Sequence, residues 1–565
     1  MKIRNEIREA KKGEWVAMDI EMFNQNKDKL HRPHGDFACI SLCYEGDLDT
    51  VYQIYDTKDL RKLFKAIDKA QWVLHNAQYD LRQLMRWVDI KPRTIWDTLL
   101  IEQSCYGGYY QNFSLKDQAR RYLGHIMSKE IRKDFSNAET MTNEMKQYAA
   151  KDALLTLQIA AVQKEELFET QAFKAYSNID EKMIWPVLDM PGIPVNVDAW
   201  TKAITGFQKQ VDDLQGELGF NVMSQAQVIA NLKKNGIHLQ DTKATTLEGH
   251  INHPMVKKIL TVRMYRKAVS TYGMSFLEQH VEPDGKIYPS WNITGAETGR
   301  MSSSHPNGQN IPQRKLPIFR TFFVASPGNT FIVDDVSQQE PCILGYESQD
   351  KTLIKAIMSG EDLHLAVARE IFNDPKMKKD DDRRAIGKTI NLGTSYGLSE
   401  HGLSTRLGID VDTANHFLQS YFMRFNGVFS WISSQRNFAY DSGYVKTASG
   451  RRIYINTNDR QWANNAINAP IQGGAADFTK MWKRKIWERC RNEKIPYTVC
   501  LVVHDELGSD TPKELVKQMN RLRGEAFQET AETLFKGIPF KSEAKQGKSW
   551  ACKSIKEEAD DENEE

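Results

Sequence analysis

The stretch FIVDDVSQQEPCILGY, residues 331–346, ends one apolar run on two adjacent aspartates and continues into a second apolar run. Its first half is typical of a strand, because β-branched and aromatic residues dominate it. Acids at the end of an apolar strand are costly to bury unless they meet water or a metal ion. Asp334 and Asp335 therefore mark a candidate site.

A second acidic segment follows much later in the chain. VCLVVHDELGSD, residues 499–510, predicts two short strands around a polar turn that contains His504, Asp505 and Glu506. The same argument about buried acids applies to this turn, so Asp505 becomes a candidate partner of Asp335.

Between these segments, RRAIGKTINLGTSYG (383–397) predicts a helix with a stripe of residues four apart: Arg384, Lys388, Leu392 and Tyr396. Cations that face a metal-binding acid pair suit a triphosphate, and a base could stack near the tyrosine. The residues alone leave an alternative open, in which the cations belong to a solvated helix face whose acidic first turn is 380–382.

Two segments concentrate amide and guanidinium groups: TGRMSSSHPNGQNIP (298–312) and AINAPIQGGAADF (466–478). Such donors can reach the purine N3 and pyrimidine O2 acceptors of the minor groove, which are present at every base pair. They would reward correct geometry without reading sequence.

A separate acidic group lies near the N-terminus. In the predicted strand WVAMDIEM (15–22), Asp19 and Glu21 are two residues apart and so share one face, where they repel unless a cation lies between them. Asp80 opens a predicted helix after the short buried strand WVLHN. Tyr148 and Asp152 share one helix face.

If these elements meet, the four carboxylates could hold two divalent metals and the tyrosine could orient a water, which is the equipment for phosphodiester hydrolysis. Each pair alone is also typical of a solvated strand edge or helix face. The order DxE, NxxxD, YxxxD resembles the tyrosine-bearing branch of the DEDD 3′→5′ exonucleases, which have a ribonuclease H-like fold. The resemblance implies metal binding and water positioning by Asp19, Glu21, Asp80, Asp152 and Tyr148. Asp97 also matches, without an assigned role.

From about residue 15 to 550, the motifs follow the order of the family A DNA polymerases, and the chain resembles bacterial DNA polymerase I without its 5′ nuclease domain or the replicative polymerases of bacteriophages. The implied fold class is α/β and α+β multidomain, with a ribonuclease H-like exonuclease domain before a right-hand polymerase. The implied boundaries are 1–180 exonuclease, 181–290 thumb and start of the polymerase, 291–345 first part of the palm, 346–440 fingers, 441–552 second part of the palm, and 553–565 an acidic disordered tail.

The same resemblance implies a role for individual residues. Asp335 and Asp505 would bind both polymerase metals with Glu506 as their neighbour, and Glu340 would exclude a ribose 2′-hydroxyl. The residues implied in nucleotide binding are Glu340, Gln338, Arg384, Lys388, Leu392, Tyr396 and His504, with Lys388 also catalytic. Those implied in DNA contact are Arg300, Asn307, Gln309, Asn310, Asn468 and Gln472.

Some positions depart from the family pattern. Leu392 stands where Phe or Tyr is usual, which bears on discrimination at the sugar 3′ carbon. Asn464 stands where many members have an arginine that reaches the primer-template. Around Asp335, the family's usual aromatic or apolar residues are replaced by Val336, Gln339 and Pro341. We expect altered sugar selection or weaker mismatch sensing from these changes.

Composition limits the remaining possibilities. The 565 residues include 76 Lys plus Arg and 74 Asp plus Glu, for a formal charge of +2, with 40% hydrophobic and 27% charged residues, which excludes collagen-like and fully disordered classes. No apolar run approaches the roughly 18 residues of a membrane span, and the first fifteen residues have no signal-peptide core, so a cytoplasmic protein is expected. The seven scattered cysteines predict reduced thiols.

The resulting prediction is a template-directed DNA polymerase with 3′→5′ proofreading, which replicates bacteriophage DNA. It would use two Mg²⁺ per site, with Mn²⁺ possible. The expected partners are primer-template DNA and dNTPs. Further candidates are a processivity factor, a single-stranded DNA-binding protein and a helicase or primase. Two alternatives are a single-subunit RNA polymerase, disfavoured by Glu340, and a nuclease or DNA-binding scaffold with an inactive polymerase half. The basic helix at 257–267 is a candidate for phosphate contact in the thumb, or equally a solvated lysine-rich helix.

Overall fold

The computed structural model of the protein describes residues 1–24, 34–127 and 131–554. The strands are β1 Lys2–Arg4, β2 Trp15–Phe23, β3 Asp36–Tyr44, β4 Asp47–Ile54, β5 Gln71–Leu74, β6 Ile95–Asp97, β7 Ile193–Pro194, β8 Lys286–Ile287, β9 Ser290–Asn292, β10 Ser302–Ser304, β11 Asn329–Ser337, β12 Tyr444–Lys446, β13 Arg452–Tyr454, β14 Val499–Val503, β15 Glu506–Pro512, β16 Lys541–Gly547 and β17 Lys553–Ser554.

The α-helices of the described residues are α1 Leu60–Ala66, α2 Ala77–Leu84, α3 Thr98–Cys105, α4 Leu115–Leu123, α5 Asn143–Leu167, α6 Gln171–Ala175, α7 Ile184–Leu188, α8 Val197–Leu218, α9 Gln225–Lys234, α10 Ala244–Glu248, α11 Pro254–Tyr272, α12 Met274–His280, α13 Ile318–Thr321, α14 Gln339–Ser348, α15 Lys351–Ser359, α16 Leu363–Ile371, α17 Arg384–Ser395, α18 Glu400–Leu407, α19 Val411–Arg424, α20 Asn426–Ser442, α21 Trp462–Asn492 and α22 Val516–Leu534.

The N-terminal half is built on a six-stranded sheet in the order β1-β4-β3-β2-β5-β6. The strands β2, β3 and β4 pair antiparallel, whereas β2, β5 and β6 run parallel. The long helix α5 packs across β2 and β3, and its Thr142 hydroxyl caps the helix by accepting from the backbone N–H of Met145. This packing brings the residues of α5 to the acidic face of β2.

The C-terminal half contains a five-stranded antiparallel sheet in the order β14-β15-β11-β16-β17. The central strand β11 pairs with β15 so that Asp335 lies opposite Glu506. The two strands predicted around the His504 turn are confirmed as β14 and β15. The sequence patterns missed β16, whose residues KSEAKQG are polar and partly exposed because it lies toward the edge of the sheet.

Helices fill the rest of the C-terminal half. The helices α14 to α20 form a block that packs through α14, α17 and α20 against α21. A small separate core lies among α8 to α11, and its buried members are Val211, Val222, Val228, Leu232, Leu247, Val256, Ile259 and Val262. The largest core is continuous through both halves of the chain.

A buried ionic network joins the two halves. Asp180 accepts from Ser104 at 2.7 Å and is ion-paired with Arg451 at 2.8 Å and with Lys480. Arg451 also binds Asp477 at 2.6 Å. Burial alone would raise the pKa of Asp180, but the two cations hold it below its ordinary value. Removing one partner of such a network leaves an uncompensated buried charge, so it fixes how the halves meet.

Three further expectations concern the cysteines, membrane-spanning helices and the acidic tail. All seven cysteines are free thiols and six are buried. No helix among residues 1–24, 34–127 and 131–554 is long and apolar enough to cross a membrane. The predicted acidic tail begins at 553, yet Lys553–Ser554 form β17; residues 555–565 lie outside the described residues.

Candidate active sites

The first acidic site lies on the N-terminal sheet. The alternation of β2 puts Asp19 and Glu21 on one face, and α5 brings Asp152 to it. One carboxylate oxygen from each of the three lies within 4.8 Å of the others. A set of close carboxylate oxygens suits Mg²⁺ or Mn²⁺, which prefer hard oxygen ligands.

Asp80 lines the same cleft but lies outside this group of three close oxygens. Its side chain is only 3% exposed, and its Oδ1 accepts the backbone N–H of Ile20 at 3.0 Å. Burial raises the pKa of Asp80 to about 8. Asp80 thereby holds the part of β2 between Asp19 and Glu21.

Asp97, which had no role from the sequence, supports Asp80 indirectly. Its carboxylate accepts the backbone N–H groups of Asn76 at 3.0 Å and Ala77 at 2.8 Å, and it also caps α3. These bonds fix the start of α2, the helix that carries Asp80. Asp97 is therefore a positioning residue of the turn.

The cleft around this site has a volume of about 980 Å³. All five predicted residues line it, together with loop residues 111–116 and with His305 from the C-terminal half. Tyr148 lies one helical turn before Asp152, and its ring is 6.2 Å from that of Phe135. Tyr148 thus lines the cleft together with the acids.

The second acidic site lies on the C-terminal sheet. The alternation of β11 directs Asp334 to an ion pair with Arg523 and leaves Asp335 beside the turn that carries Asp505. Burial, reinforced by the charges of Asp505 and Glu506, raises the pKa of Asp335 to about 7. Burial also raises the pKa of Asp505. A divalent cation between the two aspartates would relieve this repulsion.

Glu506 has partners of its own. Arg320 Nη1 lies 3.0 Å from its Oε2, and the indole N–H of Trp550 donates to its Oε1. The guanidinium also lies 4.1 Å from the centre of the Trp550 ring. The charge of Glu506 is thus compensated by a direct ion pair within the protein.

Beside Asp505 there is a pocket of about 370 Å³. It brings together seven of the residues predicted from the sequence: Arg300, Gln338, Glu340, Leu392, Tyr396, His504 and Asp505. The three departures from the family pattern near Asp335 also line it, namely Val336, Gln339 and Pro341. The sequence motifs, far apart along the chain, therefore converge on one cavity.

A hydrogen-bond network closes one side of this pocket. The Tyr396 hydroxyl donates to Glu340 Oε1 at 2.8 Å, and Arg300 lies 3.6 Å from the same oxygen. Burial and the Glu340 charge raise the pKa of Tyr396 to about 12. Tyr396 therefore remains a donor at neutral pH and holds the Glu340 carboxylate in the pocket.

Two pocket residues have unusual backbone conformations. Gln338 has φ +51° and His504 has φ +56°, in the left-handed region that residues other than glycine seldom adopt. Both lie at the turn where a strand of the acidic sheet ends. Strain of this kind is concentrated at functional sites.

The two cations of α17 lie farther along the helix. Arg384 pairs with Asp362 at 2.7 Å, and Lys388 is exposed. Neither lines the pocket, but they precede Leu392 by two turns and one turn, about 12 and 6 Å along the axis. A triphosphate whose sugar lies at Leu392 would extend toward them.

The amides predicted to contact DNA are partly engaged inside the protein. Gln309 donates to the carbonyl groups of Met301 at 3.2 Å and Val502 at 3.1 Å, so it holds β14 just before His504. Asn307 Oδ1 accepts the N–H of Gln309, and the carbonyl of Asn310 accepts from Tyr272. Asn468 and Gln472 are half-buried and one turn apart on α21.

Several residues that shape these sites escaped sequence reasoning: Arg320, Asp362, Arg523, Trp550 and Lys545, which moderates the charge of Asp335. None belongs to a motif. Each contacts the site from a different helix or strand, so its role is visible only once strand register and helix packing are known. The Trp550 segment carried a weak signal, since a lone buried indole needs a hydrogen-bond acceptor.

Comparison with protein-family models agrees with this geometry. The model described as DNA polymerase family A matches residues 197–552, more than half of the chain, and a model described as 3′-5′ exonuclease matches residues 2–167. The chain belongs to DNA polymerase family A. The predicted fold class, an exonuclease domain before a right-hand polymerase, is confirmed by these matches and by the structural neighbour below.

Curated family members give the same result. The chain is 32% identical to DNA polymerase I of Chloroflexus aurantiacus over 452 residues, 74% of this chain and 48% of that protein. It is 26% identical to DNA polymerase I of Aquifex aeolicus, over 90% of this chain and 93% of that protein. The chain thus spans about half the length of the first relative and nearly all of the second.

A solved family A structure is also similar. It is the POL domain of Pol1 from M. smegmatis in complex with DNA primer-template and dNTP, at TM-score 0.82 and 25% sequence identity. The match covers 95% of this chain and 96% of that one. The similarity therefore extends over both acidic sites.

Proposed function

We propose that the protein is a template-directed DNA polymerase that adds dNTPs to a primer 3′-hydroxyl and removes mispaired ends by 3′→5′ hydrolysis. The observation that carries the proposal is the pocket beside Asp505, into which Glu340, Leu392 and Tyr396 converge. Family membership supports DNA synthesis over RNA synthesis, because the matching model is that of a DNA polymerase family.

The donor sets fit divalent ions at both sites. Carboxylates that repel each other, as Asp335 and Asp505 do, and oxygens within 4.8 Å of one another, as in the first site, are suited to Mg²⁺ or Mn²⁺. When bound, a pair of such ions would stabilise both the attacking and the leaving oxygen of an in-line displacement.

The residues of the second site would then position the reactants. The primer 3′-oxygen, after losing its proton, attacks the α-phosphorus of the dNTP, and pyrophosphate leaves. Lys388 and Arg384 would bind the outer phosphates, which requires Arg384 to exchange Asp362 for the triphosphate. Glu340, held by Tyr396, would leave no room for a ribose 2′-hydroxyl.

The residues of the first site would remove the terminal nucleotide of a primer by hydrolysis. Asp19, Glu21, Asp80 and Asp152 would hold the ions, and Tyr148 would orient the water that attacks the terminal phosphodiester. Asp80 would also keep β2 in place through its bond to the N–H of Ile20. The bond to the last nucleotide breaks and a dNMP leaves. The 980 Å³ cleft that all four acids line offers space for an unpaired strand end.

We further propose the domain boundaries implied by the sequence. The separate core among α8 to α11 supports a thumb within 181–290, and the block of helices up to α20 supports fingers within 346–440. The DNA contacts of Arg300, Asn307, Gln309, Asn310, Asn468 and Gln472 belong to the same proposal. A cytoplasmic location, a role in bacteriophage replication and the accessory replication partners stay predictions.

The test is a labelled primer on a DNA template with Mg²⁺, with and without dNTPs, for wild type, Asp335→Asn and Asp19→Ala. Wild type is expected to extend the primer with dNTPs and to shorten it without them. Asp335→Asn should lose only extension, and Asp19→Ala only shortening. If wild type shortens the primer but never extends it, the polymerase proposal fails and the scaffold alternative is favoured.

A further inference from the structure

A row of aromatic side chains crosses the boundary between the exonuclease and polymerase halves. Successive ring centres are 4.8 to 6.4 Å apart. We call this row the ring track and define it, in spatial order, as Phe113, Tyr110, Tyr109, Tyr454, Tyr444 and Phe438.

Backbone pairing fixes the two parts of the ring track together. The loop 106–113, between α3 and α4, lies against β13: the N–H of Tyr454 donates to the carbonyl of Gly107 at 2.8 Å. A Cβ at Gly108, which has φ +82°, would lie only 2.5 Å from the Tyr454 carbonyl oxygen. Only glycine allows this approach, so the rings of the loop and of the hairpin β12–β13 have fixed positions.

Two rings of the ring track are exposed, the other four are half-buried, and two cations lie beside the row. Tyr109 is 60% exposed and Phe438 is 39% exposed. Lys446 Nζ lies 5.7 Å from the centre of the Tyr444 ring, and the Arg452 guanidinium lies 5.0 Å from it. Among the described residues, Arg452 Nε has no hydrogen-bond partner, and Lys446 is exposed. Exposed rings beside free cations are the combination that binds unpaired nucleic acid.

The position of the ring track favours one strand. Phe438 lies on α20, and its neighbours on that helix meet the start of α21: Arg436 Nε donates to the Ala463 carbonyl at 3.4 Å, and the Tyr440 ring lies 5.9 Å from that of Trp462. On α21, Asn464 packs against the backbone of Gly397, next to Tyr396 in the nucleotide pocket. On the proposed function, the primer ends at this pocket, whereas the template continues past it as a single strand. The polymerase end of the ring track therefore lies near the place where unpaired template emerges.

We infer that the ring track and its two cations form a binding surface for the single-stranded template beyond the insertion pocket. Bases would stack on the rings, and Lys446 and Arg452 would contact phosphates. This inference rests on the proposed function. The surface needs both halves of the chain, because the loop supplies half of the rings and the hairpin with α20 supplies the rest.

The test measures the affinity of full-length protein for primer-templates whose template overhang is about 2 or about 12 nucleotides. The variants are Tyr109→Ala and Lys446→Ala, with Tyr109→Phe as rescue. Phe168→Ala is the matched control, an aromatic residue of the exonuclease half that is 49% exposed and lies outside the ring track. Thermal unfolding of every variant checks that the halves stay joined.

Wild type is expected to bind the long overhang more tightly than the short one. Tyr109→Ala should weaken the long-overhang complex about fivefold or more, the effect of losing one stacked base, and leave the short-overhang complex unchanged. Lys446→Ala should lower the salt dependence of the long-overhang complex by about one counterion. Tyr109→Phe and Phe168→Ala should behave as wild type.

An overhang effect that is equal in wild type, Tyr109→Ala and Lys446→Ala overturns the inference. So does a variant that only raises the KM for shortening single-stranded oligonucleotides, since the ring track would then serve the primer end, which enters the cleft near Phe113. Failure of the proposed function is distinguishable, because wild type would then fail to extend even the short-overhang substrate.

Discussion

The two acidic sites assemble their carboxylates in different ways. In the exonuclease half, one strand and one helix bring three carboxylate oxygens within 4.8 Å of one another, and a fourth, buried acid lines the same cleft. In the polymerase half, Asp335 and Asp505 come from segments about 170 residues apart along the chain and meet only through strand pairing. Asp19 and Asp152 of the first site are also far apart in sequence, but they meet because a helix packs on a sheet, whereas the second site depends on the register of paired strands.

The difference extends to electrostatics. Burial alone accounts for most of the raised pKa of Asp80, whereas like charges add to burial at Asp335. In the polymerase site, Arg320 compensates the charge of Glu506 by a direct ion pair. Asp505 and Glu506 are adjacent in sequence, but only Glu506 has a direct ion pair with Arg320, so we expect the two acids to contribute differently to catalysis.

The largest expected effect tests that inequality. Asp505→Asn should lower the rate of primer extension by about 10³-fold or more, because it removes a proposed metal ligand. Glu506→Gln should lower it only about tenfold, since its carboxylate already binds Arg320 and Trp550. Single-turnover extension at saturating dNTP measures both rates, and equal losses in the two variants would refute the distinction.

The next effect concerns the nucleotide pocket beside Asp505 in the polymerase half. Glu340→Ala should reduce the preference for dNTPs over rNTPs about 100-fold, because the variant opens space at the sugar and frees Tyr396. Glu347→Gln, on the same helix α14 but outside the pocket, is the matched control. Competition between dATP and ATP in primer extension provides the readout; unchanged preference in Glu340→Ala contradicts the gate.

A smaller effect is expected in stability. A carboxyl whose folded pKa is raised holds its proton longer than in the unfolded chain, so stability falls as pH rises from about 4 to about 8 for Asp80. Without metal, Asp80→Asn should therefore raise the free energy of unfolding at pH 8 by on the order of a few kcal/mol and change it little near pH 4.

Urea unfolding at both pH values, with a chelator present, measures this difference. Asp335→Asn should show the same sign over a window that ends nearer pH 7. Stabilisation by Asp80→Asn that is equal at pH 4 and pH 8 would show that burial of the charge is not the cause.

The smallest effect concerns Asn464, whose amide lies against Gly397. Asn464→Arg places a cation near the nucleotide pocket and should lower misincorporation about threefold, since an arginine reaches phosphate and base edges that asparagine does not. Shortening of single-stranded DNA should be unaffected, because the exonuclease acids lie on another sheet. Misincorporation kinetics identical to those of wild type would contradict this prediction.

Sequence alone predicted the local features well. The strands β2, β11, β14 and β15 and the helix α5 appear where apolar patterns place them, because each has a clear period and a strong core face. Local spacing also sufficed to put Asp19 with Glu21 on one face. Such features depend on a few neighbouring residues.

Long-range features were not predictable in the same way. The polar strand β16 has no apolar period, and its existence depends on pairing with β11. The partners of Glu506 and of Asp334 come from distant elements, and the ring track requires a loop of one half to meet a hairpin of the other. No single segment of sequence carries these contacts.

Whether one chain carries two independent catalytic sites is tested most directly by the turnover of one dNTP to dNMP. The primer-template for this assay has a template that pairs only with that nucleotide at the next position. If one chain carries two independent sites for opposite reactions, wild type should produce dNMP steadily with little net primer growth. Asp335→Asn and Asp19→Ala should each abolish turnover, and a mixture of the two variants should restore it as DNA exchanges between them. Turnover that persists in either variant alone would contradict the account.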